Sequence, residues 1–337
     1  MLEWPPASRR LGLTPLERAL RQRIGAEGPI TVEAYMEACN AYYYATRDPF
    51  GPAGDFVTAP EVSQMFGEMI GAALADCSRR AGAPADAIYA ELGPGRGTLA
   101  RDALRVLRAA GFTGDVHFVE ASPVLRRAQK NLVPGAKWHD SIGGLPRRPL
   151  LLVANEFLDA LPIRQFADGV ERCVALIGNE LAFDRFGDVT EDSPIRDQAI
   201  ADVAGQLAAN GGVALFIDYG HARSAPGDTL QAVHGHRYAA VLADPGEQDL
   251  TSHVDFEGVA RVAAEAGAAV TGLGAQGEWL QRLGIGARAE VLIRANPDHE
   301  AVIEAALDRL TGADQMGVLF KIIAIHSPEW PEPVGLA

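Results

Sequence analysis

The 337-residue chain is short of cysteine, of positive charge and of long apolar runs, and each shortage excludes a class of protein. Its three cysteines, Cys39, Cys77 and Cys173, are widely spaced and odd in number. They build neither a disulfide framework nor a zinc knuckle, and free thiols in a reducing compartment are expected. No uncharged apolar run approaches the roughly 20 residues that cross a bilayer. The longest candidate, residues 203–217, is broken by Gln206, Asn210, Gly211 and Gly212. The opening MLEWPPASRRLG has no apolar signal core, and it lacks an obvious Arg/Ser-rich, acid-poor transit peptide, which fits a bacterial cytoplasmic protein better than an imported precursor. With 30 Lys+Arg against 44 Asp+Glu the net charge is −14, which argues against a nucleic-acid surface. The eight histidines show no zinc spacing, so no metal is expected, and no G-x-S-x-G supports a serine hydrolase.

What remains is ordinary globular material, 48% apolar and 22% charged. It is long enough for one large α/β domain with additions, or for two domains. Thr14-Pro15-Leu16-Glu17 is a capping box that opens a first helix, and residues 31–44 form a second. The Gly/Pro-rich DPFGPAGDFVTAP comes next as a long loop or lid. Val62, Met65, Phe66, Met69, Ile70, Ala73 and Leu74 recur at helical spacing within residues 61–80. From residue 88 strands alternate with helices. Strands are expected at 88–92, 115–120, 137–139, 150–153, 213–217, 269–272 and 318–326, and helices at 99–110, 122–131 and 256–266. That rhythm implies parallel βαβ units in a doubly wound sheet. Two segments interrupt it. Residues 164–186 hold a strand pair, and residues 221–254 are long, polar and Gly-rich.

The sharpest local signal is Glu91-Leu92-Gly93-Pro94-Gly95-Arg96-Gly97-Thr98, between a strand and a helix. Gly93, Gly95 and Gly97 let a ligand approach the backbone, and a helix N-terminus offers unpaired N–H groups. The spacing is G-x-G-x-G, not the G-x-G-x-x-G of dinucleotide sites, and Pro94 removes an N–H from any phosphate cradle. Glu91, two positions ahead, suits an ammonium group. Together these favour S-adenosylmethionine over NAD. Glu120 ends the next strand, where a carboxylate accepts from ribose hydroxyls. Asp140 comes after the third strand and is placed to accept from the adenine amino group. After the fourth strand, Asn155 is expected to cap a short helix ended by Pro162, with Glu156 and Asp159 at i, i+3 on one face. Two carboxylates there suit a guanidinium. His253, closing the long insertion, is a candidate base.

These segments resemble the MidA-like family of S-adenosylmethionine-dependent methyltransferases. Matching stretches are GDFVTAPEVSQMFGE (54–68), ELGPGRGTLARDALR (91–105), VEASPVLRRAQ (119–129), ANEFLDALPIRQF (154–166), FIDYGH (216–221), LTSHVDF (250–256) and MGVLFKIIA (316–324). The resemblance implies S-adenosylmethionine as cofactor and, for the family's mitochondrial branch, symmetric dimethylation of an arginine on a respiratory complex I subunit.

The reading is therefore an α/β fold: a mostly parallel, seven-stranded, Rossmann-like methyltransferase sheet. Residues 1–60 form a helical extension and lid. Residues 61–326 form the methyltransferase domain, with insertions at about 164–200 and 221–254 that wall a peptide-binding site, and residues 327–337 a tail. Thr58, Pro60, Ser63 and Gln64 are placed to cover the cofactor. The expected activity is protein arginine N-methylation, with Glu156, Asp159 and His253 serving the acceptor. A protein substrate is the expected partner, a complex I subunit among the candidates, and a second copy of the chain is considered. Rival readings are a small-molecule methyltransferase, a non-enzymatic S-adenosylmethionine-binding assembly factor and, disfavoured by the glycine spacing, an NAD-dependent oxidoreductase.

Overall fold

A computed structural model describes residues 12–47 and 57–336. The larger of its two compact units comprises Val57–Leu158, Gln198–Arg223 and Val254–Ala337. Its sheet is built from β1 (Ile88–Leu92), β2 (Val116–Val119), β3 (Lys137–His139), β4 (Leu150–Asn155), β5 (Gly212–His221), β6 (Ala269–Ala275) and β7 (Phe320–His326). The strand order is β6-β7-β5-β4-β1-β2-β3. The five strands from β5 to β3 pair in parallel, and β7 runs antiparallel to both β5 and β6. Val254–Asp255 adds a short eighth strand, parallel to the end of β5.

Leu150, Leu151, Leu152 and Val153 in β4 are fully buried, as are Val213, Ala214, Leu215, Phe216 and Ile217 in β5. Central strands of a sheet covered on both faces need such unbroken apolar runs. Beside the sheet lie α1 (Gln64–Arg80), α2 (Thr98–Ala109) and α3 (Pro123–Leu132). Gly67 and Gly71 let α1 press against α2. A Cβ on Gly71 would sit 2.5 Å from the Ala103 carbonyl oxygen, and one on Gly67 would sit 2.8 Å from the Asp102 Cβ. Buried Glu68, on the same helix, accepts from Arg105 at 2.7 Å and from Arg288 at 2.7 Å. Burial raises its carboxyl, but those two guanidiniums more than offset it and hold the group below its usual range.

The smaller unit gathers residues 1–56, Asp159–Asp197 and Ser224–His253. Thr14 caps the helix Pro15–Glu27, and Thr31 caps Val32–Thr46, each through a side-chain oxygen. Three small antiparallel sheets accompany them. The hairpin Cys173–Ile177/Glu180–Phe183 takes Ile30–Thr31 on its edge. Ile24, Tyr35, Met36, Val174, Ala232 and Leu250 share its core. Asn40 Nδ2 donates to the carbonyls of Ala160 and Leu250 at 3.0 and 2.8 Å.

Four expectations need correction. The helix over 61–80 is broken. Ala59–Val62 is a separate turn, and Ser63, extended at φ −161°, restarts the chain by capping α1 through a bond from Met65 N–H. The strand over 318–326 begins only at Phe320, because Met316–Leu319 coil into one helical turn. Gly317 permits that turn: a Cβ there would meet the Thr311 oxygen at 2.2 Å. The short helix expected from Asn155 is absent. Asn155 ends β4, and the residues after it form bends and a turn. Finally, the helices Pro194–Asn210, Gln276–Arg282, Ile285–Ala295 and Glu300–Thr311 lie where no element was expected. Residues 48–56 of the Gly/Pro-rich segment and the opening residues 1–11 fall outside the described residues.

Glycine substitutions separate packing from propensity. Gly71→Ala, facing backbone that cannot give way, should destabilise by about 1–3 kcal/mol. Gly25→Ala, helical and with nothing within 4 Å of its Cβ, should stabilise by about 0.5–1 kcal/mol. Thermal melts of the two variants beside the wild type check both signs.

Candidate functional site: the carboxyl edge of the sheet

Parallel strands of a doubly wound sheet present their carboxyl ends on one edge, where ligands bind. At the end of β1 the chain turns through Gly93 (φ +59°), Gly95 (φ +53°) and Gly97 (φ +89°) into α2. All three sit in the left-handed region that L-residues adopt at a cost. Gly97 N–H donates to the Pro94 carbonyl at 2.8 Å, which closes the turn. Thr98 Oγ1 donates to Glu61, which ties the residue 59–62 turn to the head of α2.

Glu91 is only 3% exposed. Burial pushes its carboxyl up to about 8, only partly opposed by the bond from Tyr89 Oη to Oε2 at 2.6 Å. Glu120 is also buried, and its carboxyl is raised for the same reason. Opposing that shift, Ser122 N–H donates to Oε1 at 2.7 Å and Gln129 Nε2 to Oε2 at 3.1 Å. The Ala121 amide also bonds this carboxylate, so of its roughly four acceptor positions about one remains. At the end of β4, Asn155 Nδ2 donates to Glu156 Oε1 at 3.0 Å. The Asn155 Oδ1 is buried without a hydrogen-bond partner among the described residues.

Glu156 stands at φ +51°. Its backbone N–H donates to Ile217 at 2.9 Å, and Oε1 also lies 3.4 Å from the Ala59 amide. Buried Asp218 fixes the next two residues: its Oδ2 accepts from the amides of Phe157 and Leu158 at 3.2 and 2.9 Å. The αL backbone and this carboxylate replace the expected helix. Sequence reasoning placed Asp218 after the fifth strand without a role; an acid at that edge, opposite a strand end, was the available signal. Gln129 was missed altogether.

The larger unit thus brings together Glu91, Gly93, Pro94, Gly95, Gly97, Glu120, Asn155 and Glu156 at strand ends, with Thr58, Pro60, Ser63 and Gln64 on the segment tied to α2. Thr58 precedes the residue 59–62 turn without a side-chain capping bond. Asp140 comes just after β3, its side chain 91% exposed and paired with Arg126 at 2.6 Å. Asp159 and His253 belong to the smaller unit. There the Asp159 carbonyl accepts from Ser252 N–H at 2.9 Å, while His253 N–H donates to Thr229 Oγ1 at 3.0 Å. The i, i+3 helical face expected to pair Glu156 with Asp159 does not form, since the chain between them is not helical.

A reversed strand inserted between β5 and β6 sets this sheet apart from an all-parallel dinucleotide-binding one. Together with the glycine spacing, it puts the chain in the class of Rossmann-like methyltransferases. Residues 69–186 and 170–274 match the family described as "Putative S-adenosyl-L-methionine-dependent methyltransferase". A Drosophila melanogaster relative, "Protein arginine methyltransferase NDUFAF7 homolog, mitochondrial", is 34% identical over 96% of this chain and 88% of its own length. The Homo sapiens protein arginine methyltransferase NDUFAF7, also named mitochondrial, is 30% identical over 93% and 83%. A crystal structure of a Burkholderia thailandensis protein bound to S-adenosylhomocysteine superposes with a TM-score of 0.82 at 27% identity, covering 95% of this chain and 94% of that one. The chain belongs to this family of S-adenosyl-L-methionine-dependent methyltransferases.

The residues present fit that cofactor. The glycine turn admits a ligand against backbone, Glu120 retains an acceptor position for a ribose hydroxyl, and the orphaned Asn155 Oδ1 awaits a donor. Glu91 would face the ammonium group. A cation beside Glu91 favours its ionised form, so below about 8 ligand binding releases a proton. Affinity for S-adenosylhomocysteine should therefore rise as pH goes from 6 to 8. Glu91→Gln keeps an acceptor for Tyr89 but cannot ionise; affinity should fall roughly tenfold, about 1.4 kcal/mol, and its pH slope should flatten. Calorimetric titration across that range measures both, and parallel slopes for variant and wild type would sink the assignment.

Proposed function

We propose that this methyltransferase acts on protein arginine, with Glu156 as the carboxylate that receives the acceptor. The observation that carries the reading is the placement of Glu156: a left-handed residue at the end of β4, its backbone pinned on both sides and its carboxylate on the ligand-binding edge of the sheet. The names of relatives sharing about a third of their residues over nearly the whole chain support the substrate class.

When bound, the cofactor supplies a methyl carbon on a positively charged sulfur, which departs as a neutral thioether. The chain's own work is alignment and charge. A guanidinium stays protonated at neutral pH and is a poor nucleophile. Glu156 would orient it through charge-assisted hydrogen bonds, hold the nitrogen at near-attack distance and accept the proton that nitrogen releases. The Asn155 amide, donating to Oε1, keeps the carboxylate in place. Thr58, Pro60, Ser63 and Gln64 would close over the cofactor, and Asp140 would take the adenine amino group.

A respiratory complex I subunit is the substrate to test first, on the strength of the family resemblance, and the segments at residues 164–200 and 221–254 are the proposed peptide-binding wall. Methyl transfer from labelled S-adenosylmethionine into cell lysate, followed by mapping of the labelled site, tests the substrate class. Label confined to small molecules would overturn it. Glu156→Gln should abolish turnover, by at least a hundredfold, while S-adenosylhomocysteine binds within threefold of wild type; methylation at the wild-type rate removes Glu156 from the mechanism. Asp159→Asn and His253→Ala, run in the same assay, decide whether either residue of the smaller unit serves the acceptor.

A further inference from the structure

Gln129 is the one amide in α3 that is fully buried, and it lies beside the glycine turn. Both its N–H groups and one acceptor position of its oxygen are used. Its Nε2 donates to the Gly95 carbonyl at 2.7 Å and to Glu120 Oε2 at 3.1 Å. Its Oε1 accepts from Trp138 Nε1 at 2.7 Å. The indole can only donate, so it settles which end of the amide is oxygen and directs both N–H groups toward the site. The contact continues through the backbone: a Cβ on Gly97 would lie 3.5 Å from the Gln129 Cα. One side chain therefore spans the turn after β1, the carboxylate after β2 and the ring on β3.

We propose that Gln129 is the positioning residue of the cofactor site, setting the Glu120 carboxylate against the glycine turn so that its remaining acceptor position meets the ribose hydroxyls. The inference rests on the cofactor reading and on the ribose role assigned to Glu120. Glu120 is free to rotate about its terminal torsion unless both oxygens are held. The backbone amides of Ser122 and Ala121 hold the group from its own chain, and Gln129 is the side-chain donor that reaches Oε2. Arg126 does not substitute for it: its Nε and Nη2 donate to the carbonyls of Glu120 and His139 and to Asp140 rather than to the Glu120 carboxylate. A donor fixed at one end by Trp138 and shared at the other between a turn carbonyl and the acid couples the height of the turn to the direction of the carboxylate. Ligand selectivity at the ribose then depends on a residue that need not touch the ligand.

Two variants test this on the full chain. Gln129→Glu keeps the side-chain length and an acceptor for Trp138 but sets a second carboxyl against Glu120. Trp138→Phe leaves Gln129 and Glu120 intact and removes only the donor that orients the amide. Titration calorimetry with S-adenosylhomocysteine and with its 2′-deoxyribose analogue supplies the readout, with melting of the ligand-free proteins as the folding control. Gln129→Glu should weaken S-adenosylhomocysteine at least tenfold and the deoxy analogue by less than threefold. Trp138→Phe should show the same selectivity at about threefold. Equal losses for the two ligands in both variants would reduce Gln129 to a packing residue and overturn the inference, as would unchanged binding. Failure of the wild type to bind S-adenosylhomocysteine would strike the cofactor reading instead. Should Gln129→Glu not fold, Trp138→Phe alone decides: ribose-selective loss sustains the inference, and its absence ends it.

Discussion

Two acidic side chains withdrawn from water at the carboxyl edge of an apolar sheet are what the rest of the site is arranged around. Glu91 and Glu120 stand at the ends of adjacent strands whose other residues are buried and mostly apolar, and a carboxylate in such surroundings is costly unless it is met by donors or by a cation. Tyr89 meets one in part; Ser122 and Gln129 meet the other. In both cases the donors fall short of cancelling the effect of burial, which leaves the edge of the sheet biased toward a ligand that carries positive charge and hydroxyl donors. The family's cofactor has both.

Backbone conformation supplies the second constraint. The glycine turn at Gly93–Gly97 takes left-handed angles at no steric cost, whereas Glu156 takes them at a cost of about 1–3 kcal/mol. That strain persists because its neighbours over-determine it. The Glu156 amide is held by Ile217, and the next two amides by Asp218, a carboxylate buried at 1% exposure. The same residues that stop β4 from continuing into a helix thus hold the acidic side chain at the edge of the sheet. The strain and the proposed function concern one position.

The sheet was largely legible from local pattern. Continuous apolar runs at 150–153 and 213–217, the alternation of strands with helices and the G-x-G-x-G turn each carry their own signature, and the structure shows all of them in place. The failures also have local causes. Residues 155–162 read as a capped helix, because Asn155 and the i, i+3 acids satisfy every local rule for one; a carboxylate sixty residues away captures the amides instead. The helix over 61–80 has an unbroken apolar stripe, yet Ser63 is extended. Residues 276–311 carry apolar residues at helical spacing, Ile303, Ala306, Leu307 and Leu310 among them, that were not read as helices, and these helices pack on the same face of the sheet as α1, where Arg288 reaches Glu68. Their buried Trp279, Leu280 and Leu310 join the main core.

Sequence alone determined the strands of the main sheet, the glycine turn and the acids that end strands, because these arise from side-chain periodicity, φ freedom and chain direction between neighbours a few residues apart. Tertiary structure alone decided which of those acids are buried, which backbone amides they hold, and that Gln129 joins three strand ends. Each of those facts is a distance between groups remote in sequence, and both the desolvation of a carboxylate and the direction of a hydrogen bond depend on what the fold places beside it.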